Sequence, residues 1–506
     1  MSAHSSAHIN GGGQLKKVRR TAFVLALLAI AYGILQGFVP LRSAVKIGAD
    51  EDFELSKATL CLHGYHLYTE IWDDQPPLDT FLITTILRHC SPSVLGPRLL
   101  TVFSTAILLG CLFCLIHRMY GLSAASITIV FLIASPGFLE LSSSCMQEIP
   151  ALAPVVAALL ILSGFNDRTR YLPEFAAGSA FAFALQMKLI GLAYSPLLFF
   201  PIWLRQKDDQ GMLKAIAVRS LVLFCTALIG FAVMNSLTGN SLLIEIRQAW
   251  GAHFAAARSL DYGSPSEHRF DWGILLTNWD ATVPALFGIF VLLKKCTSNP
   301  EAVFPLAWLV LALVVFCSHT PWWAYYYIHN ALPLSICAGI GVAELWTLTL
   351  KGKKPVWATA LSVFCVCILG WMGGRVYLEE KALQSSPRLS NCLVLKEIEQ
   401  FKPYSTFMFT DRPIYSFHAG IPMPPHLAVI SLKRFWAGEI SNQKIIDELA
   451  TVKPSLILLA NDNKQLFFQD ILARDYRLVY RDADNCLYAH QSISRKPGVP
   501  TIGSRP

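Results

Sequence analysis

The sequence predicts an α-helical polytopic membrane protein of about eleven transmembrane helices, followed by a small α/β domain on the outer side of the membrane. Of its 506 residues, 54% are hydrophobic and 15% are charged, and the mean hydropathy is +0.45. An average soluble domain is about 25% charged, so this composition argues against an ordinary soluble enzyme. The net charge of +8 does not indicate a nucleic-acid partner, because the basic residues lie between apolar runs.

The predicted spans are runs of about 20 mostly apolar residues, the length that crosses the hydrocarbon core of a bilayer. The fifth and sixth spans are short and meet near Lys188. Merging them would give a span that is too long and would invert the orientation of every later span. In chain order the predicted spans are 22–41, 98–117, 122–141, 148–165, 173–188, 190–204, 215–236, 273–293, 301–318, 328–349 and 355–373.

The distribution of Lys and Arg predicts the orientation of these spans. A basic segment, Lys16–Arg20, precedes the first span, and the apolar run that follows is longer than the core of a cleaved signal peptide. With the N-terminus inside, the inner connections are basic, whereas the outer connections after the third and ninth spans carry no Lys or Arg. The positive-inside rule therefore predicts a cytoplasmic tail at residues 1–21 and an extracytoplasmic C-terminus.

The segments outside the spans divide the chain into domains. Residues 22–373 form the predicted transmembrane module, with long outer loops at 42–97 and 237–272. Residues 374–490 have mixed polarity and predict an extracytoplasmic α/β domain, and residues 491–506 predict a disordered tail. Within that domain the patterned segments are strands at 406–410 and 456–459, a helix at 442–451 and a hairpin at 476–488.

Acidic side chains are concentrated in the first outer loop. The loop opens with an acidic triplet that begins at Asp50, and its second half carries an acidic and proline-rich motif at residues 73–78. A carboxylate at a membrane surface could accept the proton of a substrate hydroxyl. Asp50 could instead only cap a surface helix, and the aromatic stretch before the motif could be an interfacial anchor.

Two further ionisable residues lie at the ends of predicted spans. Glu148 begins the fourth span on the outer side, where it could simply belong to the first turn of a capped helix. Lys188 lies between the fifth and sixth spans. An ionisable residue at such a place is a functional candidate, although its ammonium could also snorkel to the outer interface. As an outward-facing cation, Lys188 could bind a phosphate.

The connection between the ninth and tenth spans is unusually aromatic. The segment from His319 to His329 contains two Trp and three Tyr, and it contains no Lys or Arg. Tyr326, Tyr327 and His329 could donate hydrogen bonds to a phosphate or hold a sugar ring. An aromatic belt at the membrane interface would have a similar composition.

The predicted topology brings these side chains to one face of the membrane. Carboxylates, a cation and phenol or imidazole donors at one surface suit a lipid phosphate together with a sugar or alcohol acceptor. A carboxylate could act as the general base, and the cation could stabilise the leaving phosphate. The residues on this outer face are Asp50, Glu51, Glu148, Lys188, His319 and His329.

In their order and topology these motifs resemble the polytopic glycosyltransferases of the GT-C superfamily, in particular the bacterial group related to aminoarabinose transferase and protein O-mannosyltransferases. The similarity covers roughly residues 20–350. The motifs that carry it are Asp50-Glu51, Tyr68, Asp73-Asp74-Gln75-Pro76-Pro77-Leu78, Glu148-Ile149-Pro150, Lys188, His319 to Trp323, Tyr326-Tyr327 and Pro333.

The resemblance implies a GT-C fold and an enzyme of cell-envelope glycan biosynthesis in a bacterial inner membrane. Such enzymes transfer a hexosyl or pentosyl group from a polyprenyl-phosphate carrier to a lipid, glycan or protein acceptor on the extracytoplasmic side. The resemblance further implies that Asp50, supported by Glu51, activates the acceptor hydroxyl. The residues that it implies in substrate binding are Tyr68, Asp74, Gln75, Glu148, Lys188, His319, Tyr326, Tyr327 and His329.

The sequence demands no cofactor. Some members of the superfamily use a divalent cation such as Mg²⁺ or Mn²⁺, and others do not. Asp50 and Glu148 could contribute oxygen ligands to such an ion.

One position departs from the family pattern. Many relatives have a lysine before the Pro-Pro pair, near the donor phosphate, whereas this chain has Gln75. A neutral amide can donate a hydrogen bond to a phosphate but supplies no charge. Lys188 and neighbouring histidines could substitute, or the donor site could differ. Alternatively the protein could be a transporter or flippase for a lipid-linked sugar, or a non-catalytic relative that binds a glycolipid.

Overall fold

The computed structural model describes residues 11–90, 93–164, 170–206, 211–251, 263–351 and 355–493. Helices occupy most of the described chain up to residue 384, and a small mixed sheet with short helices follows. The first ten residues of the predicted tail, and residues 494–506 of the predicted disordered segment, lie outside the described residues.

The helices of the first part are α1 (Gly11–Phe38), α2 (Glu51–Leu62), α3 (Leu78–His89), α4 (Leu95–Tyr120), α5 (Leu122–Ile133), α6 (Phe138–Ser143), α7 (Glu148–Gly164), α8 (Leu172–Met187), α9 (Ser195–Gln206), α10 (Met212–Leu237), α11 (Leu242–Glu245), α12 (Gly273–Thr277), α13 (Trp279–Lys295), α14 (Val303–Ser318), α15 (Tyr327–Lys351) and α16 (Pro355–Gln384). The later elements are α17 (Leu393–Phe401), β1 (Met408–Thr410), α18 (Ile414–Ala419), α19 (Leu432–Trp436), α20 (Asn442–Val452), β2 (Leu456–Ala460), α21 (Gln469–Asp475), β3 (Tyr476–Arg481) and β4 (Asn485–His490).

Helical structure is found at the position of every predicted span, but several of these helices are short or broken. The third span is interrupted after α5, where Gly137 has a φ of 73°. The expected break between the fifth and sixth spans is observed, because α8 ends at Met187 and Lys188 is extended. Within the described residues, five helical segments are long and apolar enough to cross a membrane: Val18–Phe38, Leu95–Tyr120, Met212–Leu237, Pro300–Ser318 and Ala324–Thr349. The topology of eleven spans remains a prediction.

Helix α15 packs tightly against its neighbours because glycines line its contacts. A Cβ atom at Gly288 of α13 would lie 1.9 Å from the Cys337 carbonyl oxygen of α15, and one at Gly341 would lie 2.7 Å from the Gly288 nitrogen. Small residues at such contacts let helix backbones approach closely, which is a common way to pack helices in a membrane. The segment that precedes α15 carries the aromatic side chains of the candidate site.

The sheet follows the order β1-β2-β4-β3, in which β1 pairs with β2 in parallel and the other pairs are antiparallel. The strands and helix α20 lie where the sequence pattern predicts them. One apolar core joins this region to the first outer loop, since Leu55 of α2 and Ile83 of α3 pack in the same cluster as Phe401 and Leu458. The first outer loop and the C-terminal region therefore lie on the same side of the helical body, which places the candidate site between them.

Candidate active site

A cavity of about 360 Å³ lies where the first outer loop, the break at Lys188 and the C-terminal region meet. A larger cavity of about 550 Å³ lies at the opposite, predicted inner ends of the helices, near Arg118 and Arg205, and contains none of the predicted site residues. We therefore take the smaller cavity as the candidate site. The predicted residues that line it are Asp50, Asp74, Gln75, Lys188 and Tyr326.

Asp50 lies immediately before α2, and its side chain makes no capping hydrogen bond to that helix. Its carboxylate lies beside the Tyr325 hydroxyl, and both side chains are partly exposed at the cavity. The alternative in which Asp50 serves only as a helix cap is therefore not observed. The arrangement leaves the carboxylate facing the space where a substrate hydroxyl could bind.

Lys188 forms an ion pair with Glu148, the first residue of α7. The break after α8 directs the lysine side chain into the cavity, where its ammonium lies 5.5 Å from the ring centre of Tyr325 and 5.8 Å from that of Tyr326. These distances are within the range of a cation–π interaction. Lys188 is only 8% exposed, so its ammonium does not snorkel to the interface.

Tyr68 holds the loop that carries Asp74 and Gln75. Its φ of 67° lies in the left-handed region, which is uncommon for a residue other than glycine. The Tyr68 hydroxyl donates to the Gln75 carbonyl oxygen at 2.8 Å, and the Leu189 N–H donates to Gln75 Oε1 at 3.4 Å. Tyr68 is buried and does not line the cavity, so it acts through the position of Gln75.

Glu51 does not reach the cavity, which corrects the expectation that it supports Asp50 in catalysis. Its carboxylate forms a bidentate ion pair with Arg98, with both N–O distances at 2.8 Å, and both side chains are fully buried. The same carboxylate accepts the N–H groups of Ile47 and Cys145 at 2.8 and 3.0 Å. These four bonds hold the start of α2, and they lower the pKa of Glu51 despite the opposing effect of burial.

Tyr327 and His329 also lie away from the cavity, in the packed interior around α15. The Tyr327 hydroxyl accepts a hydrogen bond from Asn278. The His329 ring is hydrogen-bonded to the Tyr194 hydroxyl at 2.6 Å and stacks on Phe316 at 4.3 Å between ring centres. These contacts hold both side chains away from the cavity, in which they were expected to bind the carrier phosphate.

Glu54 and Lys57, which were not expected in the site, line the cavity beside Asp73 of the first-loop motif. Lys57 Nζ lies 2.9 Å from carboxylate oxygens of both Glu54 and Asp73, and Gln147 donates to Glu54 at 3.0 Å. All four side chains are buried. The spacing of Glu54 and Lys57 on α2 was the only local signal, and such pairs are common on solvated helix faces.

Lys433 was not expected in the site either; it enters the cavity from α19 and forms an ion pair with Asp74. These two residues are 359 positions apart, so no local pattern could indicate their contact. His319 is exposed at the rim, where its ring centre lies 5.8 Å from that of Tyr326.

Burial changes the protonation of two acidic residues, Asp73 in the lining of the cavity and Asp79 on helix α3. It raises the pKa of Asp79 to about 8 and that of Asp73 to about 7, and repulsion from Glu54 adds to both shifts. An unfolded Asp loses its proton near pH 4. Between about pH 4 and the raised pKa of each residue, the folded protein binds more protons than the unfolded chain. Its free energy of unfolding therefore falls as the pH rises, by about 1.4 kcal/mol per pH unit for each such group.

We expect the substitution Asp79→Asn to reduce this pH dependence, because the amide stays neutral at every pH. Melting temperatures would be measured in detergent between about pH 5 and pH 8.5. The wild type should lose stability toward the alkaline end, and Asp79→Asn should lose less. The exposed Asp470 offers a control, since Asp470→Asn should keep the wild-type slope. Equal slopes for the wild type and Asp79→Asn would contradict the assignment.

The side chains do not fit a divalent cation. Glu148 is paired with Lys188, and the Asp50 carboxylate lies beside the Tyr325 hydroxyl. Over the part of the chain that the structure describes, no group of three or more His, Cys, Asp or Glu side chains could hold a metal ion. A hard cation prefers several oxygen ligands, so we assign no chemical step to a metal.

Comparison with known proteins supports the fold that the sequence predicts. Residues 74–231 match the family model described as dolichyl-phosphate-mannose-protein mannosyltransferase. This range contains Gln75, Glu148 and Lys188 of the candidate site. No curated protein matches the chain.

Two solved structures share the fold over nearly the whole chain. ArnT from Cupriavidus metallidurans bound to undecaprenyl phosphate matches 92% of this chain and 98% of its own, with a TM-score of 0.63 and 14% identity. The archaeal oligosaccharyltransferase AglB from Archaeoglobus fulgidus, in complex with an inhibitory peptide and a dolichol-phosphate, matches 93% of this chain and 74% of its own, with a TM-score of 0.58 and 11% identity. The predicted resemblance to the GT-C superfamily is confirmed, and the chain is an integral membrane protein with that fold.

Proposed function

We propose that this protein is a glycosyltransferase that moves a sugar from a polyprenyl-phosphate carrier to an acceptor on the extracytoplasmic face of the membrane. The observation that carries the proposal is the single cavity that contains the Asp50 carboxylate and the Lys188 ammonium. Transfer from a phosphate-linked sugar needs a base for the acceptor and a positive charge for the leaving group. This cavity provides both, in a fold whose neighbours have been solved with polyprenyl or dolichol phosphates bound.

The similar proteins support the class of donor. The ArnT structure contains undecaprenyl phosphate, and the AglB structure contains a dolichol-phosphate. Both ligands carry an anionic phosphate on a long apolar chain, which suits a cavity with a lysine next to apolar helices. With the predicted topology, we place the reaction on the outer face of a bacterial inner membrane.

In the proposed mechanism, the acceptor hydroxyl attacks C1 of the sugar while Asp50 accepts its proton. The bond between C1 and the phosphate oxygen breaks, and its electron pair stays on the phosphate. Polyprenyl phosphate then leaves as a stable anion without needing an acid. Tyr325 orients Asp50, and Glu148 holds Lys188 beside the phosphate. A direct displacement of this kind inverts the anomeric carbon.

A non-catalytic protein that binds a glycolipid is the second candidate, and Gln75 is the observation that favours it. Loss of a positive charge at this position would weaken the stabilisation of the leaving phosphate more than it would weaken binding of the sugar. The same cavity would then hold the donor without transferring its sugar.

The test is a transfer assay with the purified protein in liposomes. A panel of polyprenyl-phosphate sugars would be supplied with an extract of envelope lipids, glycans and proteins as acceptors, and the donors would be followed by mass spectrometry. We expect the protein to consume one donor and to release polyprenyl phosphate. If folded protein binds a donor but consumes none in the presence of the full acceptor extract, the transferase proposal fails and the second candidate is favoured.

A further inference from the structure

The cavity contains a cation that belongs to the C-terminal region. Lys433 forms an ion pair with Asp74, the residue immediately before Gln75, and it lines the same cavity as Gln75 and Lys188. The Lys433 side chain is 25% exposed, so its ammonium is within reach of a ligand in the cavity. A positive charge therefore lies next to the position where this chain lacks a lysine.

Specific contacts hold Lys433 against the first outer loop. The next residue, Arg434, donates to the Val429 carbonyl oxygen at 2.7 Å, and its guanidinium lies 5.4 Å from the ring centre of Trp72. At the end of the same helix, Trp436 stacks on Trp323 with an angle of 9° between the rings. Helix α19 thus contacts both the loop and the aromatic segment, and these contacts place Lys433 at the cavity.

Among the residues that the structure describes, four carboxylates and three lysines line the cavity. Lys57 is enclosed between Glu54 and Asp73. This leaves Lys433 and Lys188 as the lysines placed to bind an anion. The Lys433 and Lys188 ammoniums both interact with the Tyr326 hydroxyl, and they are close enough to repel one another. Burial opposes the charged form of Lys433, but the Asp74 carboxylate raises the pKa of this lysine above its ordinary value, so Lys433 stays protonated. An anion bound between the two ammoniums would relieve their repulsion.

We propose that Lys433 binds the donor phosphate and takes the place of the lysine that is absent at position 75. The ligand is the phosphodiester of a lipid-linked sugar before transfer and the phosphate monoester afterwards, and this inference rests on the proposed function. When the C1–O bond breaks, the phosphate gains one negative charge. The ammoniums of Lys433 and Lys188 stabilise this additional negative charge.

Binding of the product tests this role without requiring turnover. Undecaprenyl phosphate and uncharged undecaprenol would be titrated against the full-length protein in detergent. We expect Lys433→Met, which keeps the apolar stem, to weaken binding of the phosphate by about 10- to 100-fold and to leave binding of the alcohol unchanged. Lys433→Arg should bind nearly as well as the wild type. Lys396→Ala removes an exposed lysine from α17 and should have no effect.

The decisive variant adds the missing lysine back. In the double variant Gln75→Lys/Lys433→Met, we expect the affinity for undecaprenyl phosphate to return to within about threefold of the wild type. A purely structural ion pair between Asp74 and Lys433 would not be replaced by a lysine at position 75. Lys433→Gln, which can still donate a hydrogen bond to Asp74, serves where the methionine variant does not fold.

The outcomes separate this inference from the proposed function. Unchanged affinity in folded Lys433→Met or Lys433→Gln, or no recovery in the double variant, overturns the role of Lys433. If the wild type binds undecaprenyl phosphate through Lys433 but transfers no sugar, the phosphate site stands and the transferase proposal fails. If the wild type binds undecaprenyl phosphate no better than undecaprenol, the phosphate site is overturned.

Discussion

The substitution Asp50→Asn is expected to lower the rate of sugar transfer by about 10²- to 10⁴-fold, the range typical of a lost general base. The amide has nearly the same shape as the carboxylate but cannot accept the proton of the acceptor hydroxyl. Because Asp50 is partly exposed and does not cap α2, its replacement should leave the fold and the melting temperature nearly unchanged. Initial rates and thermal unfolding of the same preparation would measure both effects.

Two control variants test whether the loss of transfer is specific to the Asp50 carboxylate. Tyr325→Phe removes the hydroxyl that lies beside Asp50 but keeps the base, so it should cause a smaller loss than Asp50→Asn. The surface variant Asp470→Asn should transfer sugar at the wild-type rate. Full transfer by Asp50→Asn would show that another group removes the acceptor proton.

The substitution Glu51→Gln is expected to destabilise the protein by about 3–5 kcal/mol, because it leaves Arg98 charged and unpaired in the interior. Both side chains of this pair are fully buried. Thermal unfolding in detergent would report the loss as a large decrease in melting temperature. Transfer activity should fall only in proportion to the fraction of folded protein.

A matched glutamate separates this structural role from a chemical one. Glu399 is exposed on α17, and Glu399→Gln should melt at the wild-type temperature. If Glu51→Gln also melts at that temperature while losing transfer, Glu51 takes part in the reaction and the assignment from the structure is wrong. The neighbouring residues Asp50 and Glu51 would then share the chemistry, as the resemblance implied.

Sequence patterns predicted the helical body and the strands because both depend on local periodicity. Runs of apolar residues locate helices such as α4 and α10, whose length and composition suit a membrane. Alternation and turn residues located β2 and the hairpin of β3 and β4. Lengths were harder to predict, because a break such as the one at Gly137 depends on how the neighbouring helices pack.

Sequence reasoning also found the central groups of the candidate site. Asp50 and Lys188 stand out because a charged side chain near an apolar segment is costly and seldom lies there without a role. The partner of each charge was not predictable in the same way. Glu51 and His329 looked as suitable as Asp50, yet both are buried in the packed interior, where Glu51 pairs with Arg98 and His329 is hydrogen-bonded to Tyr194.

By itself, the sequence determined that this chain is a helical membrane protein with a small sheet, and it identified the ionisable residues worth considering. Only the tertiary structure decided which of them share a cavity, and it added Lys433 from 359 positions beyond Asp74. The physical reason is one of range. Hydrophobic periodicity is set by residues within a few turns of helix or strand, whereas the partner of a buried charge is set by packing between distant segments.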